Sequence, residues 1–287
     1  MEKINHFIEL TRVKKPIGFM LLFWPCLWGL TIAFDFSNNT DIFFKYCFLF
    51  LCGSILMRSA GCIINDIVDK DFDSKVERTK KRPIASGKIS VGLGIIYSAI
   101  LCLIALIVLL QFNTLTIILA LCSMPLAFSY PFMKRITYWP QLFLGITFNY
   151  GIVLGWTSVN ENLNFAVIIL YIGAIFWTLG YDTIYGFQDI KDDEIIGIKS
   201  TSIKFKYNAK LFLSFCYSIF VLCLLIVGNY MNLNFLFFAF LIFPMLHLIF
   251  IQINKFDKLD GNICLKIFKS NNLLGFIVFL NLLIGKI

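Results

Sequence analysis

An all-α, polytopic membrane fold of nine transmembrane helices is predicted by three observations on this 287-residue chain. Its residues are 59% hydrophobic and 15% charged, against the ~45–50% apolar usage of soluble domains. Its mean hydropathy is +0.82. Apolar runs near the ~20 residues that a spanning helix needs recur along its whole length.

The spans fall at 17–34, 42–64, 91–111, 114–131, 139–158, 164–186, 210–230, 233–253 and 271–287, with 114–131 and 271–287 at the short end. The first follows a basic stretch, as a signal peptide would. It contains Trp24, Pro25 and Trp28 and no small-residue cleavage pattern, so it reads as a retained helix. Charge in the connections alternates. The leading segment carries Lys3, Arg12, Lys14 and Lys15, and the second connection Lys70, Lys75, Arg78, Lys80, Lys81, Arg82 and Lys88. Lys134 and Arg135 occupy the fourth, Lys191, Lys199, Lys204, Lys206 and Lys210 the sixth, and Lys255, Lys258, Lys266 and Lys269 the eighth. The intervening connections hold Asp35, Asp41 and Glu161 and no basic residue. Positive charge gathers on the cytoplasmic side, which predicts a cytoplasmic amino terminus and an outside carboxy terminus. The net charge of +8 is then explained by basic loops beside an anionic leaflet, with no nucleic-acid partner.

Residues 1–287 read as one integral-membrane domain with two cytoplasmic caps, about 65–90 and 187–209, each too short for a core of its own. Each cap follows an even-numbered span and leads into a similar basic stretch, Ala85-Ser86-Gly87-Lys88 or Gly197-Ile198-Lys199-Ser200. That recurrence suggests two related helical halves. The nine cysteines lie mostly inside spans, with no Cys-x-x-Cys pair, and read as small core residues. His6 and His247 are too isolated for a metal cluster; His247 is expected to be a hydrogen-bonded packing residue.

The chemistry is concentrated in two acidic segments at span ends. The first runs Asn65-Asp66-Ile67-Val68-Asp69-Lys70-Asp71-Phe72-Asp73, and the second runs from Asp182 through Gln188-Asp189 to Asp192-Asp193. Acids beside lipid are costly and mark a functional site by default. Asn65, Asp69 and Asp73 are spaced by four, and Asp182, Asp189 and Asp193 by seven and four, so each set shares one helix face. Asp71, Asp192 and Glu194 fall off those faces and are expected to meet water. Carboxylates this close repel one another. Mg²⁺ removes the repulsion, being bound by one or two carboxylates together with substrate phosphate oxygens. Arg12, Arg78, Lys81, Arg82, Lys134 and Arg135 lie on the same side and can meet phosphate oxygens. Arg58 stands apart, inside the second span seven residues before Asn65, where a guanidinium needs an anionic partner: a motif aspartate or a substrate carboxylate.

These segments are recognisable. Arg58 to Asp73, followed by Val76-Glu77-Arg78-Thr79-Lys80-Lys81-Arg82-Pro83, resembles the first aspartate motif of the UbiA superfamily of membrane prenyltransferases. Tyr181-Asp182-Thr183 through Asp189, Asp193 and Gly197-Ile198-Lys199-Ser200-Thr201 is similar to the second, with Ile190 and Lys191 departing from the family pattern. Lys15-Pro16-Ile17-Gly18, Phe23-Trp24-Pro25 and Tyr130-Pro131-Phe132-Met133-Lys134-Arg135 resemble the 4-hydroxybenzoate polyprenyltransferase branch.

The resemblance implies helices around a central cavity open sideways to lipid. It implies Mg²⁺-dependent transfer of a polyprenyl group from its diphosphate to the ring carbon ortho to the hydroxyl of 4-hydroxybenzoate, in ubiquinone synthesis. The abundance of Ile, Lys, Asn and Phe points separately to an AT-rich genome, and so to a bacterial inner membrane. Asp66, Asp69 and Asp73 with Asn65 would hold one ion, and Asp182, Asp189 and Asp193 the other. Arg78 would meet the diphosphate, Tyr130 or Tyr185 would wall the allylic cation, and Arg58 or Arg135 would take the acceptor's carboxylate. Two alternatives stand beside this reading. One is a sister-branch enzyme with dihydroxynaphthoate or haem as acceptor. The other is a cation-coupled transporter, which would place its acids near helix centres.

Overall fold

Helices α1 (Glu2–Thr11), α2 (Ile17–Ala33), α3 (Asp41–Val68) and α4 (Lys70–Asp73) open the chain. They are followed by α5 (Val91–Leu109), α6 (Thr114–Ile136), α7 (Pro140–Asn149), α8 (Gly151–Thr157) and α9 (Phe165–Gly186). The short α10 (Ile190–Ile196) and α11 (Thr201–Lys204) precede α12 (Ala209–Tyr230). Then come α13 (Phe235–Phe240), α14 (Ile242–Leu246), a π-helical stretch over His247–Asn254 and α15 (Gly261–Lys286). This computed structural model describes residues 2–37, 40–77 and 79–287, and no strand occurs among them. Arg78, a predicted diphosphate contact, lies outside the described residues.

Helix starts follow local sequence. Ser90, Asn113, Asn164 and Asn234 each accept a backbone N–H in the first turn of α5, α6, α9 and α13, satisfying donors that a helix start leaves unpaired. Seven helices among the described residues are long and apolar enough to cross a membrane: α3, α5, α6, α9, α12, the 235–254 stretch and α15. Of the nine expected spans, the first is the 17-residue α2, and the fifth is two helices, α7 and α8, meeting at Tyr150. The expected boundaries also shift. Asp260 caps α15, accepting from Asn262 and Ile263, so this helix begins well before the expected 271 and carries Lys266 and Lys269. α6 continues to Ile136 and carries Lys134 and Arg135 in its last turn.

The core lies around α2 and α9. α9 packs on α12, α7, α15 and α8, and α2 on α8, α15 and α3. Trp28 and Trp177 meet with ring centroids 4.9 Å apart, both near Phe220. Their indole N–H groups donate to the Gly275 carbonyl at 3.0 Å and to Asn271 Oδ1 at 2.9 Å, as buried tryptophans require. The α2–α8 crossing is backbone on backbone: a Cβ on Gly29 would stand 2.0 Å from the Ile152 carbonyl oxygen. Large side chains such as Phe44, Phe48, Ile107, Leu211 and Phe235 point outward, the surface of a protein solvated by hydrocarbon. Five cysteines (Cys26, Cys62, Cys216, Cys223 and Cys264) are buried, while Cys122 is exposed. His247 is buried, with its ring beside the Ser270 main chain.

Candidate active site

Both acidic segments sit where a long helix ends and a short one begins. α3 stops at Val68 because Asp69 takes φ −93° and ψ 4°, yet the pitch survives. The Asp69 N–H bonds the Asn65 carbonyl at 2.9 Å, and the Asp73 N–H bonds the Asp69 carbonyl at 2.8 Å. Asp66, Asp69 and Asp73 are therefore all buried, while Asp71 is exposed. In the second segment α9 ends at Gly186, and the Asp193 N–H bonds the Asp189 carbonyl at 2.9 Å. Glu194 is exposed and Asp192 partly so. Gly197, at φ 80°, closes α10 in the left-handed region, where glycine carries no steric penalty.

The second cap is tied to the bundle by buried polar bonds. Thr183 and Thr201 hydroxyls meet at 2.6 Å, Ser202 Oγ donates to the Thr183 carbonyl at 2.7 Å, and Gln141 Oε1 accepts the Thr201 N–H at 3.0 Å. No lone residue in this group marks it in sequence. Each is a common polar residue that gains its role only when α7, α9 and α11 meet.

Cations engage the first segment. Arg12, between α1 and α2, pairs with Asp66 and holds φ at 55°, a backbone conformation that disfavours residues with a Cβ and costs about 1–3 kcal/mol. Arg82 Nη1 reaches Asp73 at 2.7 Å and Asp66 at 3.2 Å. Lys134 Nζ stands 2.5 Å from Asp69 Oδ2. Burial pushes the Asp69 carboxyl above the usual carboxylate range, against the opposing charge of Lys134. In the sequence Arg82 is one of several neighbouring basic residues; its bridge over two aspartates depends on how the loop after α4 folds back.

All six aspartates line one cavity of about 1520 Å³. Asn65, Arg12, Arg58, Arg82 and Lys134 line it as well, with Tyr130, Phe148 and Tyr185 among its aromatic walls. Arg58 lies over the Phe148 ring at 5.2 Å and interacts electrostatically with Asp182. Arg135, the alternative carboxylate partner, does not line the cavity. It donates to the Val68 carbonyl at 2.7 Å and lies over Phe72 at 4.9 Å, closing the end of α3. The acids sit at helix ends, as the enzyme reading requires and the transporter reading does not.

The donor set suits a hard divalent cation: every candidate ligand is a carboxylate or amide oxygen. Oδ1 of Asp69 is buried and accepts no hydrogen bond, with the Arg135 guanidinium 3.9 Å away. The expected three-aspartate cages are not drawn together: among the described residues no three His, Cys, Asp or Glu side chains are close enough to share an ion. Such an open set matches Mg²⁺, which keeps waters and takes further ligands from substrate phosphate.

Comparison with known proteins agrees with this geometry. The profile of the UbiA prenyltransferase family matches residues 22–282. The chain is 41% identical to the mitochondrial 4-hydroxybenzoate polyprenyltransferase of Arabidopsis thaliana, over 99% of this chain and 70% of that protein. It is 39% identical to 4-hydroxybenzoate geranyltransferase 1 of Lithospermum erythrorhizon, over 100% of this chain and 92% of that protein. The solved structure of a UbiA homologue from Archaeoglobus fulgidus bound to GPP and Mg²⁺ superposes with a TM-score of 0.71 at 17% identity. That match covers 97% of this chain and 99% of the homologue, and it shows a shared fold. The chain is an integral membrane protein, and it belongs to the UbiA prenyltransferase family.

Proposed function

We propose that this protein transfers a polyprenyl group from its diphosphate to the ring carbon ortho to the hydroxyl of 4-hydroxybenzoate, a step of ubiquinone synthesis. The observation that carries the reading is the single cavity that joins six aspartates, Arg58 and an apolar flank. The relatives named for this acceptor, at about 40% identity, support it.

Carboxylates from Asp66, Asp69 and Asp73 on one side of the cavity and Asp182, Asp189 and Asp193 on the other would hold Mg²⁺ together with substrate phosphate oxygens, and the ion would supply charge neutralisation for the diphosphate. Arg12, Arg82 and Lys134, already at the first carboxylates, would add donors to its oxygens, and the motif resemblance gives Arg78 and Asn65 the same role. The donor's C–O bond breaks with its electron pair on the diphosphate. Tyr130 and Tyr185, which line the cavity, would wall the allylic cation. Arg58 holds the acceptor's carboxylate, so the ring carbon ortho to the hydroxyl meets that cation. A C–C bond forms there, and the ring proton passes to a carboxylate of the cavity. The basic connections support a site that opens to the cytoplasm, with the carboxy terminus outside.

The test is prenyl transfer in membranes given labelled 4-hydroxybenzoate and a polyprenyl diphosphate, with and without Mg²⁺, beside Asp66→Ala and Asp182→Ala. Metal-dependent lipid-soluble label, lost at least about 100-fold in both variants, is expected from the weight of such electrostatic groups in catalysis. Product from dihydroxynaphthoate but not from 4-hydroxybenzoate would move the chain to a sister branch.

A further inference from the structure

Glycine inside a helix is unfavourable unless packing or a ligand requires it. Gly29, Gly151 and Gly155 have a packing reason, because a Cβ at each would collide with the facing helix. Gly53 and Gly61 on α3 do not: a Cβ at either meets nothing within 4 Å, and both residues line the cavity. Gly61 lies one turn from Asn65, about 6 Å along the axis, and Gly53 three turns from it, about 18 Å.

Beyond Gly53 the cavity ends in aromatic side chains. Phe112 stacks on Tyr46 at 5.2 Å and packs on Phe50 at 4.8 Å. Along its flank Leu106 of α5 and Leu121 and Phe128 of α6 both line the cavity and remain exposed. α5 packs mainly on α3 and α6 mainly on α7, so the wall between α5 and α6 is open to the bilayer. An apolar channel thus leaves the carboxylates, follows α3 past two empty Cβ positions, and meets either an aromatic floor or lipid.

We infer that Gly53 sets how long a prenyl donor the channel accommodates: the proximal isoprene units lie over Gly61, and only longer chains reach the space beside Gly53. This rests on the donor being a prenyl diphosphate, and not on which aromatic acceptor is used. The chain's relatives, named for polyprenyl and for geranyl transfer at nearly equal identity, fit a length limit set by a few side chains.

The experiment measures retention of labelled geranyl and long-chain polyprenyl diphosphates by the purified full-length protein with Mg²⁺. Wild type is compared with Gly53→Leu and Gly61→Leu, and transfer to 4-hydroxybenzoate is measured in parallel. Gly53→Leu is expected to hold geranyl diphosphate within about twofold of wild type and to weaken the long donor at least about tenfold, or ~1.4 kcal/mol. Gly61→Leu should weaken both donors alike. Should Gly53→Leu fail to fold, Gly53→Ala supplies a smaller shift in the same direction. Equal loss of both donors in the Gly53 variants overturns the inference. So does equal retention, which would assign the open flank to bilayer lipid. Normal donor binding without transfer to 4-hydroxybenzoate would overturn the acceptor reading while the binding series still decides Gly53.

Discussion

Lys134 and Asp69 join two parts of the site that lie far apart in sequence: Nζ of Lys134, from the last turn of α6, stands 2.5 Å from Oδ2 of Asp69 beyond the end of α3. The main-chain carbonyl of the same lysine accepts the Lys199 N–H at 2.9 Å. One residue therefore contacts the first acidic segment through its side chain and the second cap through its backbone.

Replacing Lys134 by glutamine removes only the side-chain link. The variant should fold, since the carbonyl bond to Lys199 is kept. Its kcat/KM for the prenyl donor should fall about tenfold or more, the loss of one charge-assisted hydrogen bond worth about 1.5–3 kcal/mol. Steady-state kinetics with varied donor checks this, and unchanged kinetics would remove Lys134 from the site.

The same pair gives a pH dependence. Burial raises the Asp69 carboxyl and Lys134 opposes the rise, so protonation competes with metal binding at a higher pH than for an ordinary aspartate near ~3.9. Lowering pH should therefore raise the Mg²⁺ concentration needed for half-maximal activity. In Lys134→Gln the lowering influence is gone, and the rise should begin at higher pH than in wild type. Superimposable profiles of Mg²⁺ requirement against pH would contradict this assignment.

Arg58 offers a split readout. Its guanidinium lies over Phe148 and interacts electrostatically with Asp182, while Arg82 and Lys134 pair with Asp73 and Asp69. Arg58→Gln should raise the KM for 4-hydroxybenzoate about 10- to 100-fold, as expected for a lost hydrogen bond to a charged group, with little change in donor binding. A loss confined to the donor would place Arg58 at the diphosphate instead.

Packing between α2 and α8 is testable without any substrate. Gly29→Ala puts a methyl group against the Ile152 carbonyl, which only a backbone shift can relieve. The substitution should destabilise the protein by about 1–3 kcal/mol, the usual range for overpacking. Thermal denaturation of the purified protein in detergent measures it; Gly53→Ala, with open space at its Cβ, should not show the same loss.

Membrane character, helical class and the two acidic segments were determined by sequence alone. They depend on hydropathy over about 20 residues and on a spacing of four that a helix converts into one face. Asn65, Asp69 and Asp73 illustrate this: their relation survives even the break at Asp69, because the i to i−4 bonds continue through it. Span limits were less legible. The start of α15 is hidden in a polar stretch whose helix is anchored by the single cap at Asp260. The break at Tyr150 lies within an apolar run that hydropathy reads as one span.

Tertiary structure decided what no local pattern carries. It set Arg82 across Asp66 and Asp73, turned Arg135 away from the cavity and onto the end of α3, and placed Arg58 beside Phe148. It also separated glycines required by packing from those that border open space. Each of these depends on which side chain arrives from a distant helix, a fact of long-range packing that local sequence does not encode.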